Sequence, residues 1–233
     1  MTIKQIIKNI DTYATDDWDL ANHILYDMCA KYPSNTDRQP VLAKTFIIGR
    51  TYAAALERRR KYKGSDNCIE NKLINDGFYV DSVVPIFENL QLDEDIAIIN
   101  NWGHIDVLAL DDGQINHVLE LHGTLSVAFT KSTQLNKRSF ASKYLHFHLP
   151  HIFFIYDSRA YGALKLFFKE IPEAKPKNHI SKKGSIDLEY ASFYLRCLGV
   201  SRYLKTVKPY SDISPRHLDN ILIAIANQRL RDK

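Results

Sequence analysis

The sequence contains few cysteines and glycines and no long apolar run, and each shortage excludes a class of protein. Its 233 residues include three cysteines, placed far apart, which argues against a disulfide framework and against a four-thiolate metal or iron–sulfur site. Nine glycines and eight prolines are too few for a fibrous or linker-like protein. The longest apolar runs, such as 152–156 and 222–226, are far shorter than a bilayer span, so we expect no membrane-spanning helix.

The start of the chain lacks the features of a secretion signal. Residues 1–17 contain lysines but no long apolar stretch and no cleavage site. Together with the scattered cysteines, this predicts a cytoplasmic protein whose thiols stay reduced.

The charges are unevenly distributed along a chain of otherwise ordinary composition. Hydrophobic residues make up 45% and charged residues 25%, as in a folded soluble protein, and the net charge is +4. Residues 1–130 hold 12 Lys and Arg against 19 Asp and Glu, whereas residues 131–233 hold 19 against 8. The acidic first part and basic second part indicate a polyanionic partner, most simply nucleic acid. The alternative is a basic surface that is merely solvated.

Apolar residues recur with a helical period nearly throughout, which predicts an all-α protein of about ten helices. Ser, Asn, Asp and Pro residues between the second and third helices indicate a loop, and Asp112-Gly113 indicates a turn. The charge run 57–61 is typical of a solvated helix end, with phosphate binding as the alternative. The helices are predicted at 2–13, 17–31, 41–62, 67–90 (one or two, broken near Gly77 or Pro85), 94–110, 114–130, 139–148, 158–170, 186–206 and 214–230.

The most informative segment is 136–160, which contains a lysine in an unusual setting. Ser139 is a good N-cap, so we expect a helix from there to about His148, before Pro150. Lys143 then faces the positive end of the helix dipole among aromatic residues, and both effects lower the pKa of an ammonium group. A lysine with a lowered pKa is a potential amine nucleophile, although a surface lysine is the commoner role.

Asp157 follows the apolar run 152–156 and precedes Ser158, so we expect it to cap the next helix. Capping alone would explain this residue. A lysine on one helix, a short apolar connection and a capping aspartate together are nevertheless a distinctive arrangement.

This arrangement resembles the active-site segment of the helix-hairpin-helix DNA glycosylases, in particular the 8-oxoguanine DNA glycosylase branch. Residues 139–143 (Ser-Phe-Ala-Ser-Lys) match the hairpin-to-lysine position, and residues 154–157 (Phe-Ile-Tyr-Asp) match the approach to the aspartate. The hairpin contains no glycine, and Lys143 and Asp157 are 14 residues apart, a few fewer than in the family. The same segment also resembles uncharacterised bacterial glycosylase-like proteins, some of them associated with anti-phage operons.

The resemblance implies that residues 1–233 form a single two-lobed helical domain with a cleft that binds DNA. Lys143 would attack C1′ of a flipped-out nucleotide bearing a damaged or modified base, such as an oxidised purine. Asp157 would stabilise the positive charge on the sugar, and β-elimination would follow. If Lys143 only positions the substrate, Asp157 would activate water instead. The reaction needs no cofactor or metal, and we expect a monomer.

Further candidate positions lie around this pair. Lys137, Arg138 and Ser139 are candidate phosphate contacts together with the first amides of the helix, and Arg159 matches a backbone-contacting position of the family. The candidate base-pocket residues are Phe147, one turn after Lys143, and Tyr144, with core packing as the alternative for Phe147. Lys131 is a second candidate amine, but as a cation at the end of a helix it lies where the dipole favours its charge.

Three other functions remain open from the sequence. His146, His148 and His151 could serve a metal-dependent nuclease, although His146 and His148 point to different faces of a helix. A nucleic-acid-binding protein without catalysis would keep the basic face alone. A helical scaffold that binds another protein would carry its basic surface by chance.

Overall fold

The computed structural model describes residues 2–14, 18–52, 56, 77–103, 105–175, 185–209 and 211–231. All regular structure within these residues is helical, which confirms the predicted all-α class with about ten helices. Short 3-10 turns cover Ile10–Tyr13, Val107–Ala109 and Pro172–Ala174. The α-helices are α1 (Ile3–Lys8), α2 (Asp19–Lys31), α3 (Arg38–Thr51), α4 (Val84–Glu88), α5 (Leu92–Asn100), α6 (Asp112–Thr133), α7 (Arg138–His148), α8 (Ser158–Glu170), α9 (Leu188–Val207) and α10 (Pro215–Arg231).

Pro85 does not interrupt the helical backbone. A π-helical turn over Tyr79–Val83 precedes α4, which begins at Val84, so that Pro85 stands in the first turn of α4. Because the helical backbone continues from the π-turn into α4, Pro85 removes an interior donor, and the wider turn before it accommodates the proline ring. The predicted break near Pro85 is therefore a widened turn. The charge run 57–61 and Cys68 lie outside the described residues.

The predicted helix over 94–110 is too long. The helix α5 ends at Asn100, and Gly103 follows with a φ of 74°, a left-handed conformation that favours glycine. The helix α6 then begins earlier than predicted, because the side chain of Asp111 accepts from the Gln114 amide in a capping box. The Asp112-Gly113 dipeptide is thus the first turn of α6, and the prediction of a separate turn there was wrong.

A four-residue connection, 134–137, joins α6 to α7, and these two helices pack against each other. Gln134 has a φ of 58°, so a residue other than glycine supplies the left-handed turn that ends α6. The Asn136 side chain then accepts from the Arg138 amide at 2.8 Å, at the start of α7. The chain therefore forms a helix–turn–helix unit without a hairpin glycine.

The helix α7 occupies the centre of the described structure. It contacts α2 and α3 as well as α6, and every residue from Phe140 to Phe147 is buried. The helix α8 packs along α10. The buried apolar side chains form one continuous cluster. No helix among the described residues combines the length and apolar character needed to cross a membrane.

Candidate active site

Lys143 lies in the second turn of α7, because this helix begins at Arg138 with Lys137 at the N-cap. The expectation that Ser139 is the N-cap was wrong. The N-cap makes no side-chain hydrogen bond, and the Ser139 hydroxyl instead donates to the carbonyl of Tyr156 at 3.1 Å. Any effect of the helix dipole on Lys143 is weaker in the second turn.

The Lys143 side chain is enclosed, with 4% of the residue exposed. Its Nζ donates to the carbonyl of Tyr52 at 3.1 Å and to the hydroxyl of Ser139 at 3.0 Å, and it lies 5.8 Å from the centre of the Tyr52 ring. Burial lowers the pKa of Lys143 below its usual value, whereas the charges of Asp157 and Asp219 act to raise it. The nucleophile hypothesis therefore rests on an amine that loses its proton more readily than an exposed lysine.

Two serines of α7 fix the backbone that leads to Asp157. The Ser139 hydroxyl donates to the Tyr156 carbonyl at 3.1 Å, and the Ser142 hydroxyl accepts from the Tyr156 amide at 2.9 Å. The Ser142 hydroxyl also donates to the carbonyl of Ser139 at 3.0 Å. We call Ser139 and Ser142 the serine clamp. The serine clamp holds both the amide and the carbonyl of Tyr156, the residue before Asp157. Ser139 of this clamp also accepts a hydrogen bond from Lys143.

The rest of the connection between α7 and α8 is anchored in the same way. The hydroxyls of Tyr194 and Tyr190 donate to the carbonyls of Ile152 and Phe154 at 2.9 and 3.0 Å. The Phe153 carbonyl lies 2.7 Å from Nδ1 of His146. Because residues 152–156 are buried, these side chains supply hydrogen bonds that solvent cannot provide.

Asp157 is the N-cap of α8, as predicted. Its side chain accepts from the Arg159 amide at 2.7 Å, and its backbone is extended, with φ −136° and ψ 142°. Asp157 is partly exposed, unlike Lys143. The structure therefore brings the two residues within electrostatic reach and leaves the carboxylate open to solvent on one side.

Four further residues near Lys143 come from distant parts of the sequence. On α10, Arg216 and Asp219 form an ion pair at 3.3 Å, and the Arg216 guanidinium donates to the Tyr52 hydroxyl at 3.4 Å. The Tyr52 hydroxyl in turn donates to the side-chain oxygen of Asn22 on α2. No local pattern marks these residues, since Tyr52 and Lys143 are 91 positions apart.

The two predicted base-pocket residues lie in different surroundings. Phe147 is buried on the Lys143 side of α7, where its ring centre lies 5.0 Å from Tyr26 and 5.2 Å from Tyr52. Tyr144 is fully buried and donates to the side chain of Asn35 at 2.5 Å. Phe147 thus borders the candidate site, whereas Tyr144 belongs to an internal polar network.

The predicted phosphate contacts differ in availability. Arg138 pairs with both carboxylate oxygens of Asp187 at 2.8 Å and with Glu189 at 2.8 Å. Lys137 is buried, while Arg159 is exposed and donates to Asn227 at 2.5 Å. Of these three cations, Arg159 is the one displayed at the surface.

The three histidines do not converge. His146 is fully buried between the Tyr26 hydroxyl at 2.7 Å and the carbonyl of Phe153, and burial lowers its pKa to about 3. His148 and the exposed His151 line a different space, a cavity of about 740 Å³. Within the described ranges, no three His, Cys, Asp or Glu side chains are grouped to hold a metal ion.

Comparison with known proteins gives no relative: no family model, no curated protein and no solved structure matches the chain. An enclosed amine with a lowered pKa, two carboxylates that act on it and a rigid backbone between amine and carboxylate can support covalent catalysis through an imine.

Proposed function

We propose that the protein is a DNA glycosylase with lyase activity that uses Lys143 as its nucleophile and Asp157 as the assisting carboxylate. The observation that carries the proposal is the buried Lys143 amine, whose pKa is lowered and which the serine clamp connects to the backbone beside Asp157. The α6–turn–α7 unit takes the place of the helix-hairpin-helix in a two-lobed fold. We propose that it acts as a monomer on cytoplasmic DNA, in repair or in defence against phage.

The chemistry begins with neutral Lys143. Its Nζ forms a bond to C1′ of the flipped-out nucleotide while the bond from C1′ to the base breaks, and the departing base takes up a proton. The Asp157 carboxylate stabilises the positive charge that develops on the sugar. The nitrogen, which has passed a proton to the departing base, expels O4′, which takes up a proton from water, and the sugar ring opens to an iminium ion on Lys143. Water accepts the C2′ proton as the 3′ phosphate departs, which completes the elimination.

The decisive experiment is borohydride trapping on DNA that carries an abasic site, 8-oxoguanine or uracil. Reduction converts the imine into a stable covalent adduct that migrates as a protein–DNA band. We expect wild-type protein to be trapped, Lys143→Gln to give no adduct, and Asp157→Asn to give a slower reaction. Lys131→Gln, which removes an exposed lysine in the last turn of α6, is the matched control and should trap like wild type.

The other outcomes decide against this proposal. Absence of an adduct with tight, salt-sensitive DNA binding would identify a nucleic-acid-binding protein without catalysis. An adduct that survives Lys143→Gln would place the nucleophile elsewhere. Strand cleavage that stops when a chelator is added would indicate the metal-dependent nuclease instead.

A further inference from the structure

The side chain of Tyr52 fills the space in front of Lys143. Its ring centre lies 5.2 Å from that of Phe147, 5.8 Å from Lys143 Nζ and 5.9 Å from the guanidinium of Arg216. Its hydroxyl, at the far end of the ring, bonds to Asn22 and Arg216. A planar ring is thus held by an aromatic neighbour and two cations, and its hydroxyl bonds to one of those cations and to one further side chain, Asn22.

A nucleotide whose C1′ reaches Lys143 needs this same space. Lys143 is 4% exposed, and the backbone and ring of Tyr52 are among the groups that enclose it. A base attached to that C1′ is also a planar ring that stacks on aromatic side chains and bonds through its edge. We propose that Tyr52 holds the place of the base in the DNA-free enzyme, and that Asn22 and Arg216 bind the edge of the base once Tyr52 withdraws. This inference rests on the proposed glycosylase function.

The two edge-binding residues define the class of base. Arg216 has only donors, so it requires an acceptor such as a carbonyl oxygen, and its ion pair with Asp219 restricts its position. Asn22 offers an acceptor oxygen, which now receives the Tyr52 hydroxyl, and an Nδ2 donor that is buried with no hydrogen-bond partner in the described part of the chain. A carbonyl oxygen next to a ring N–H satisfies both residues.

The inferred substrates are therefore bases with a lactam edge, as in guanine, hypoxanthine and uracil derivatives. Adenine and cytosine derivatives present an amino group and an unprotonated ring nitrogen there. Such an edge places a donor against Arg216 and leaves a buried group unpaired, which is the strongest form of discrimination available to a polar site.

The test uses pairs of bases that differ at this edge: hypoxanthine against adenine, and 5-hydroxyuracil against 5-hydroxycytosine. Each excision rate is divided by the rate of trapping on abasic DNA, which contains no base and so reports on DNA binding and the Lys143 chemistry without base recognition. We expect wild type to favour the lactam member of each pair by roughly tenfold to a hundredfold. Arg216→Gln should reduce that preference, and Arg229→Gln, in the exposed last turn of the same helix, should keep it.

The outcomes distinguish failure of this inference from failure of the proposed glycosylase function. Trapping on abasic DNA with equal excision within each pair, or with no excision of any lesion, overturns the inference and leaves the Lys143 chemistry intact. Failure of trapping on abasic DNA overturns both.

The place-holding role of Tyr52 is tested on the DNA-free protein by reductive methylation of lysines, read by mass spectrometry. Lys143 should react slowly in wild type and roughly tenfold or more faster in Tyr52→Ala, because removal of the ring opens the site. Tyr52→Phe keeps the ring but loses the two hydrogen bonds of its hydroxyl, so Lys143 should react at an intermediate rate. Phe46→Ala, at an exposed aromatic position on α3, is the control. Lys143 labelling that is fast in wild type, or unchanged in both Tyr52 variants, contradicts the inference.

Discussion

Ser139 lies one helical turn before Lys143, and its hydroxyl links the Lys143 ammonium to the carbonyl of Tyr156. The oxygen accepts from Nζ at 3.0 Å while its proton is donated to the carbonyl at 3.1 Å. One small side chain thereby sets the distance between the proposed nucleophile and the backbone that carries Asp157.

Ser139→Ala should weaken both stability and catalysis. It leaves a buried carbonyl and a buried ammonium each without one partner, which costs about 2 kcal/mol in the free energy of unfolding. The trapping rate on abasic DNA should fall about tenfold, because Lys143 and Asp157 lose their fixed relation. Chemical denaturation and borohydride trapping measure the two effects. Ser132→Ala, at an exposed position near the end of α6, should change neither.

The trapping rate should rise with pH and reach a plateau. Only the neutral amine attacks, and burial lowers the pKa of Lys143, so the midpoint should lie below that of an exposed lysine. Because the charge of Asp219 raises the pKa of Lys143, Asp219→Asn should move the midpoint to lower pH. Single-turnover trapping across the neutral to alkaline range gives both midpoints. A midpoint that moves to higher pH in Asp219→Asn contradicts this assignment.

Arg138 and Arg159 should respond differently to removal of their charge. Arg138→Gln leaves Asp187 and Glu189 without their cation, so we expect a loss of about 2 to 3 kcal/mol in unfolding free energy. Arg159→Gln should leave stability nearly unchanged and weaken DNA binding, with a salt slope smaller by about one unit. Thermal unfolding and a salt series of binding measurements separate these roles. An unchanged salt slope in Arg159→Gln would remove this residue from the DNA interface.

Gly123 and Gly162 form a matched pair for a test of packing. A Cβ on Gly123 would lie 1.7 Å from the carbonyl oxygen of Ser185, whereas a Cβ on Gly162 would meet nothing within 4 Å. Gly123→Ala should destabilise the protein by about 2 to 3 kcal/mol because the backbone of 185–187 must move. Gly162→Ala should stabilise it by up to about 1 kcal/mol, since alanine is the better helix former. Thermal melts that rank the two variants in the opposite order would contradict this packing.

Lys44 should make stability depend on pH. It is fully buried, its Nζ donates to the carbonyls of Tyr32 and Ser34 at 2.9 and 2.8 Å, and burial lowers its pKa to about 8. Between that value and the usual 10.5, the unfolded chain binds more protons, so the contribution of Lys44 to stability rises with pH and is constant below about 8. Across this window, the free energy of unfolding of wild type should rise by up to about 3 kcal/mol relative to that of Lys44→Met. A difference that stays constant would show that Lys44 keeps its ordinary pKa.

The sequence predicts the helices of this protein better than the surroundings of its site. The capping role of Asp157 is local, since an acceptor before a helical period is enough to place it. The sequence attributes the lowered pKa of Lys143 partly to the helix dipole, whereas burial is its main cause in the structure. The dipole contributes less because α7 starts before Ser139, which places Lys143 in the second turn.

The residues that sequence analysis missed are those joined by tertiary contacts. Tyr52 follows α3, which packs on α7, and contacts Lys143, while Arg216 of α10 contacts Tyr52, and neither has a neighbour in sequence that signals this. Ser142 did have a signal, because a second serine three positions after Ser139 lies on the same side of the helix.

The anchored connection between α7 and α8 has a consequence for insertions and deletions. From Ile152 to Tyr156, four of the five carbonyls are held by side chains of α7 and α9, so an added residue cannot loop out without breaking these bonds. The exposed turn at His151 has no such anchor among the bonds described. Homologous chains should therefore vary in length at that turn and keep the following five residues at constant length. Within this connection, an inserted linker or epitope should be tolerated at the His151 turn and not in residues 152–156.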